Sequence, residues 1–385
     1  MNFNLSEEQS LIKDGIARFV AENCSLEQRN DAIAMDNGFS RENWQQFAEL
    51  GWLSIPFAEE HGGFGGGPVD TMVIMQEFGR GLVAEPYLAT VLLFGGLLQE
   101  AANTALQEKY LPAIIGGDLQ GALAYLEPQS RYELTDILTK ATREGDSWVI
   151  NGEKNVVLNG GAAEKIIVTA RTSGGQSDRE GVSLFLVDAG ASGLSRECYP
   201  MNDGQEAADI QLVNVSAEAL LGEVDEGYAA MAVVVDQARL AICAHALGLM
   251  EALNAQTLDY CKTREQFGTT IGSFQALQHR LVDMFGACEN VKSLLFRAVC
   301  TAQEHSDDAQ RSLLALKTMS GRAGKLIGGE AIQLHGGMGV TNELSVGFYV
   351  KRLMLLNNLL GDSDHHQRLF AELENNTPAG DARAA

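Results

Sequence analysis

Arg264-Glu265-Gln266-Phe267-Gly268 is followed by Phe274-Gln275-Ala276-Leu277-Gln278-His279 and then by Gln333-Leu334-His335-Gly336-Gly337. The three stretches punctuate a region that otherwise reads as long helices. Each sets a charged or amide side chain beside a glycine or an aromatic residue near an expected helix end. An arginine supplies charge, amides supply hydrogen bonds, and a Gly-Gly pair lets a ligand approach the backbone closely. That set suits a pyrophosphate joined to an adenine. Arg264 by itself reads as a surface cation satisfying terminal carbonyls; the company of the other two stretches changes the reading. His279 and His335 read equally well as packing or capping residues.

Working outward, Leu277, Leu281, Met284, Phe285, Cys288, Val291, Leu294, Leu295 and Ala298 form an apolar stripe at three- and four-residue steps. Similar patterns run through 228–263, 309–334 and 344–373, which predicts an antiparallel four-helix bundle over 226–373. The first segment, 1–120, reads as helical. Ser6 with Gln9 forms a capping box ahead of Ile12, Ile16 and Phe19, Ser40 opens a helix carrying Trp44 and Phe47, and 69–118 is mostly helix. Between them, 121–225 alternates short apolar runs with turn signals, as in Ile166-Ile167-Val168 and Val182–Val187. Asn151-Gly152 there reads as a hairpin. The expected fold is α+β: a helical domain, a central antiparallel β-barrel or sandwich, and the bundle. Residues 374–385 read as a disordered tail.

Composition narrows the function. In 385 residues, 45 % are hydrophobic and 21 % charged, ordinary for a globular protein with a sizeable core. A net charge of -23 argues against nucleic acid or an anionic membrane as partner, although a few local cations still hold an anionic ligand. The six cysteines are scattered without paired spacing, a reduced, cytoplasmic pattern. No unbroken apolar run approaches a membrane span, and the first residues show no signal-peptide pattern. Gly62–Pro68 lacks the Gly-Lys-Ser/Thr ending and the preceding strand of a phosphate loop, so it reads as an interhelical loop. Asp362-Ser363-Asp364-His365-His366 lacks the spacing of a metal site and reads as a solvated helix segment; no metal is expected.

The three opening stretches, with Tyr125-Leu126-Glu127-Pro128 and Asn151-Gly152-Glu153-Lys154 ahead of them, resemble the acyl-CoA dehydrogenases in order and spacing over nearly the whole chain. The resemblance implies FAD as cofactor and α,β-desaturation of an acyl-CoA thioester. Arg264, Phe267, Phe274, Gln275, Gln333, Gly336 and Gly337 then hold the ADP half of a flavin seated in a neighbouring subunit. The strands around Leu126 and Leu158 hold the ring, and Asp236 and Arg239 border the substrate. Arg131 is a candidate cation for a dicarboxylic acyl chain. Electrons pass to an electron-transfer flavoprotein.

Two departures matter. Leu126 replaces the threonine that bonds the flavin, and Val156 and Leu158 replace an aromatic and hydroxyl pair, so only backbone groups remain there. The family's catalytic base falls at Leu360 or at Ala238, and neither is a carboxylate. Asp362 is the nearest candidate base, with a helix cap as its alternative role. The losses fall on this chain's own flavin and chemistry, while the groups serving a neighbour's cofactor persist. Two functions follow: a self-sufficient enzyme, acting as a homodimer or homotetramer, or a subunit that supplies the ADP clamp to a larger catalytic homologue. An oxidase ranks below both, since the long oxidases carry an extra C-terminal domain.

Overall fold

Ser6 opens the first helix as its spacing predicts: its hydroxyl accepts from the Gln9 N–H while the Gln9 side chain accepts from the Ser6 N–H. The computed structural model describes residues 5–376. Its first helices are α1 (Glu7–Asn23), α2 (Leu26–Ile33), α3 (Arg41–Glu49), α4 (Pro68–Arg80), α5 (Gly96–Ala101) and α6 (Thr104–Ile115). The strands follow: β1 (Gly121–Ala124), β2 (Lys140–Glu144), β3 (Ser147–Leu158), β4 (Lys165–Arg171), β5 (Val182–Asp188), β6 (Leu194–Pro200), β7 (Glu206–Ser216) and β8 (Ala219–Leu221). Then come α7 (Gly227–Thr263), a ribbon of β9 (Glu265–Gln266) and β10 (Thr269–Thr270), α8 (Gln275–Gln303), α9 (Ala309–His335), α10 (Val346–Asn358) and α11 (Ser363–Asn376).

By packing, these elements form two bodies that do not follow chain order. Of the described residues, the helical body takes those up to Glu27, Pro68–Val83 and those from Arg239 onward. In it α4 crosses α7 closely: a Cβ on Gly79 would lie 2.1 Å from the His245 carbonyl oxygen, and one on Gly248 2.0 Å from that of Gln76. Only glycine lets these backbones meet. α8, α10 and α11 all pack against α9. The stripe expected as one helix over 344–373 is two, because Leu360 and Gly361 between α10 and α11 take φ values of 57° and 106°. α11 runs on to Asn376, so the first residues expected in the tail are helical; 377–385 lie outside the described residues. α7 is long and apolar enough to cross a membrane, with mean hydropathy 1.4 in its best window, although Asp236 and Arg239 interrupt it. That window is 72 % buried in protein, as in a core helix.

The second body takes Gln28–Gly67 and Ala84–Ala238. Its sheet runs β6-β7-β3-β2-β4-β5-β8, mostly antiparallel, with β1 added to β4 in parallel. Ile150, Ile166, Val168, Phe185, Val187 and Ile210 form the heart of its core. The turn between β2 and β3 is Gly145-Asp146, not the expected Asn151-Gly152. β3 instead runs through Asn151-Gly152 with a register shift against β7. Gly152 is needed there for close approach, since a Cβ would sit 2.7 Å from the Thr139 Cα. Tyr87–Gly95 is a wide, fully buried π-helix where ordinary helix was expected.

Candidate functional site

Tyr260, near the end of α7, stacks on His335, the last residue of α9, with ring centroids 4.4 Å apart at 29°. His335 is buried, and its Nδ1 lies 2.8 Å from the Ala331 carbonyl oxygen, which settles it as a packing residue. This contact gathers two of the opening stretches at one end of the helical body. The Arg264 backbone is fixed by its N–H to the Tyr260 carbonyl and by the Ile271 N–H donating to its own carbonyl. Its side chain is exposed and meets no protein partner among the described residues. Phe267 and Gly268 form the two-residue turn of the β9–β10 hairpin with φ values of 56° and 79°. The motif had read as a helix end, because Phe-Gly lacks the Asn or Asp that usually announces such a turn.

Phe267 is 92 % exposed and meets Phe274 edge to face, with ring centroids 6.1 Å apart. A phenylalanine held in the left-handed region costs about 1 kcal/mol, and projecting it into water adds to that. Such an outlier points to a use outside the chain's own core. Gln275, His279 and Gln333 are exposed as well, and Phe274 is 38 % exposed. A Cβ on Gly336 or Gly337 would meet nothing within 4 Å, and Gly336 takes φ 60°, ψ -139°. An open guanidinium, amides, an aromatic edge and bare backbone fit a pyrophosphate and adenine.

The α10–α11 turn is the second cluster. Leu360 is 6 % exposed, and its carbonyl accepts from Arg239 Nε at 2.9 Å. Arg239 itself is 7 % exposed on α7, one turn after half-buried Asp236. Ala238 is fully buried. Half-buried Asp362 caps α11: its Oδ1 accepts from the His365 N–H at 2.7 Å. His365 and His366 are buried rather than solvated as expected, 5 % and 0 % exposed. The two imidazoles pack under Gly361, whose missing side chain makes the room. Burial holds His366 down to about 3, although its Nδ1 lies 2.9 Å from the Asp362 carbonyl oxygen. Among the described residues no group of three His, Cys, Asp or Glu could hold a metal.

In the sheet body, Glu127 and Lys154 form a buried ion pair at 2.7 Å with side-chain exposures of 1 % and 0 %. The Glu127 carboxylate also accepts from the N–H groups of Leu138 and Thr139 and from Gln129 Nε2. Burial opposes its charge, yet the Lys154 ammonium and these donors hold the carboxyl below its ordinary range. Burial pulls Lys154 down to about 8 against the pull of Glu127. The pair is its own main charge compensation against that burial. It ties β3 to the loop after β1, where the Leu126 carbonyl accepts from the Asn155 N–H at 2.9 Å. Val156, at φ 52°, sits in a register shift of β3 with its N–H on Asp209 Oδ1. Leu126 and Leu158 are half-buried, so backbone groups are the polar groups they can offer a ring. Arg131 is exposed on this loop at φ 48°, not set deep in a pocket.

The sequence reading missed Tyr260, the Arg239–Leu360 link and Lys317. A lysine within the apolar stripe of 309–334 was the visible signal for the last.

The chain matches the profiles "Acyl-CoA dehydrogenase, N-terminal domain" over residues 6–118, "middle domain" over 122–216 and "C-terminal domain" over 225–373. It belongs to the acyl-CoA dehydrogenase family, whose members are FAD-dependent oxidoreductases of acyl-CoA thioesters. A probable acyl-CoA dehydrogenase of Bacillus subtilis is 28 % identical over 378 residues, 96 % of this chain and 99 % of that protein. Among solved structures, a variant of the Tcur3481-Tcur3483 steroid ACAD superposes with a TM-score of 0.86 at 26 % identity, covering 96 % of this chain and 98 % of that one. The FAD complex of PigA superposes with a TM-score of 0.90 at 25 % identity, covering 97 % and 99 %.

Proposed function

We propose that this chain is the small subunit of a heteromeric acyl-CoA dehydrogenase, paired with a larger homologous subunit and acting on an acyl-CoA thioester. Asp259–Gly268, Gln333–Gly339 and Leu359–His366 resemble the small subunit of pimeloyl-CoA dehydrogenase in particular. The paired name Tcur3481-Tcur3483 of a structural relative supports a two-subunit reading.

One asymmetry carries the proposal. The residues that resemble the ADP clamp are exposed, whereas the family's base positions hold buried Leu360 and Ala238. FAD bound here would supply the acceptor for the hydride of the thioester's β-carbon. In this reading Arg264 balances the pyrophosphate charge and the Gly336-Gly337 backbone lets it approach. Phe267, Phe274, Gln275 and Gln333 surround the adenosine, backbone groups of Leu126 and Leu158 border the ring, and Asp236 and Arg239 border the thioester. The complex works in the cytoplasm, and an electron-transfer flavoprotein takes the electrons.

A self-sufficient dehydrogenase is the second reading, favoured by half-buried Asp362 two residues from the family's base position, with Oδ1 as its capping oxygen. Flavin content and acyl-CoA-dependent dye reduction separate the two. The chain purified alone should be colourless and inactive, gaining both properties when co-expressed with its larger homologue. A yellow, active chain on its own overturns the heteromer. Asp362→Asn then tests the base, with a loss of about 100-fold or more expected if Asp362 removes the α-proton.

A further inference from the structure

Lys317 lies in the third turn of α9, 2 % exposed. Its ammonium donates to the carbonyls of Leu356 at 3.0 Å and Asn357 at 2.9 Å. These are last-turn carbonyls of α10 that no helical N–H reaches, at the helix end where a cation is favoured. A little further on, the Leu360 carbonyl accepts from Arg239 on α7, and the Asp362 carbonyl accepts from the His366 N–H on α11. Donors from three helices converge on the carbonyls of one short segment.

Two close approaches leave that segment little slack. A Cβ on Gly321 would come 1.9 Å from Asn357 Oδ1, and one on Gly361 2.3 Å from the His366 Cε1. A cavity of about 10 Å³, room for one water at most, adjoins Lys317, Ser320 and Asn357. An ammonium has three N–H donors, and two of them here meet carbonyls.

We propose that Lys317 is a positioning residue: by closing the end of α10 it fixes the Leu359–Asp362 turn, and with it the backbone at the position where the family carries its base. The functional weight of that turn rests on the reading given above. The lysine's surroundings give the turn a pH signature. Burial holds the Lys317 ammonium down to about 8; Cys243 and Asp362 act against this, and Arg239 adds to it. His366 faces the same ammonium. In an opened turn the lysine is hydrated and titrates in its ordinary range. The open form therefore binds more protons above about pH 8, and raising the pH favours the closed turn.

Amide hydrogen exchange of the full chain tests this, with the Leu359, His365 and His366 amides as reporters and the α8 amides as control. Lys317→Met should speed exchange about tenfold at the reporters, the worth of a lost buried hydrogen bond, and leave α8 unchanged. Lys317→Arg, which keeps donors, should restore much of the protection. In the wild type, protection of the reporters, corrected for the chemical rate, should grow between pH 7 and pH 9, and in Lys317→Met it should not. Unchanged reporters, or exchange that quickens equally in α8, would overturn the proposal. The bound-flavin absorbance of the reconstituted complex is read alongside: if the reporters respond and the flavin does not, the functional reading of the turn fails while the positioning role stands.

Discussion

Leu360 shows how much one residue decides. Its left-handed backbone, at φ 57°, breaks the last long helix in two and costs about 1 kcal/mol relative to a glycine. Its side chain is buried, 6 % exposed, and half-buried Asp362 follows two residues later. Six residues on from Leu360, the His366 imidazole is fully buried. The pH consequence has a definite sign. Its folded-state value is about 3, while the unfolded imidazole titrates near 6.5. Between those values the unfolded chain binds more protons, so stability is full above pH 6.5 and falls as the pH drops toward 3. His245, also buried and also pulled down, contributes in the same direction. His366→Asn, which keeps an N–H donor but does not titrate, should flatten this slope in urea midpoints measured from pH 7 to pH 4. A slope equal to that of the wild type would rule His366 out as its source.

At the scale of elements, the sheet and the hairpin taught opposite lessons about turns. Asn151-Gly152 looked like a hairpin and proved to be a shifted register inside β3, because Thr139 packs where a side chain on Gly152 would go. The real turn at Gly145-Asp146 is open, with nothing within 4 Å of a Cβ on Gly145. Gly152→Ala should therefore cost about 2–3 kcal/mol through overpacking, and Gly145→Ala only about 1 kcal/mol for its φ of 63°. Chemical denaturation of the two variants checks the contrast; equal losses would mean that the approach of Thr139 is soft. Phe267-Gly268 carried no recognised turn signal, yet it closes β9–β10. Turn identity here follows from packing and from the backbone path between two helices, which local residue preferences do not encode.

For the molecule as a whole, the informative quantity is apolar surface left in water. Val282 and Phe285, one turn apart on α8, are 66 % and 61 % exposed, and Phe267 on the hairpin is 92 % exposed. Burying side chains of this size is worth about 1.5–3 kcal/mol each, so a chain that leaves them open gains by covering them. Val282→Asp with Phe285→Asp should shift any assembly the protein forms to smaller species in sedimentation velocity while leaving its helix content intact. Assembly unchanged by the double substitution would remove α8 from the interface. This acidic protein, at net charge -23, offers a partner contact through apolar area better than through charge.

The order of helical, sheet and helical segments was legible from the residues alone, because hydrophobic period, caps and turn residues are local properties that survive without a fold. The sequence also displays charge, amide and glycine one residue at a time, and the structure adds that Arg264, Gln275 and Gln333 are exposed. Which helices share a body was not legible, nor was the burial of His365 and His366, the capping duty of Asp362 or the grip of Lys317 on α10. Those depend on residues far apart in the chain meeting in one dry place. There the loss of water, absent from any linear pattern, sets what a charge or a hydrogen bond is worth.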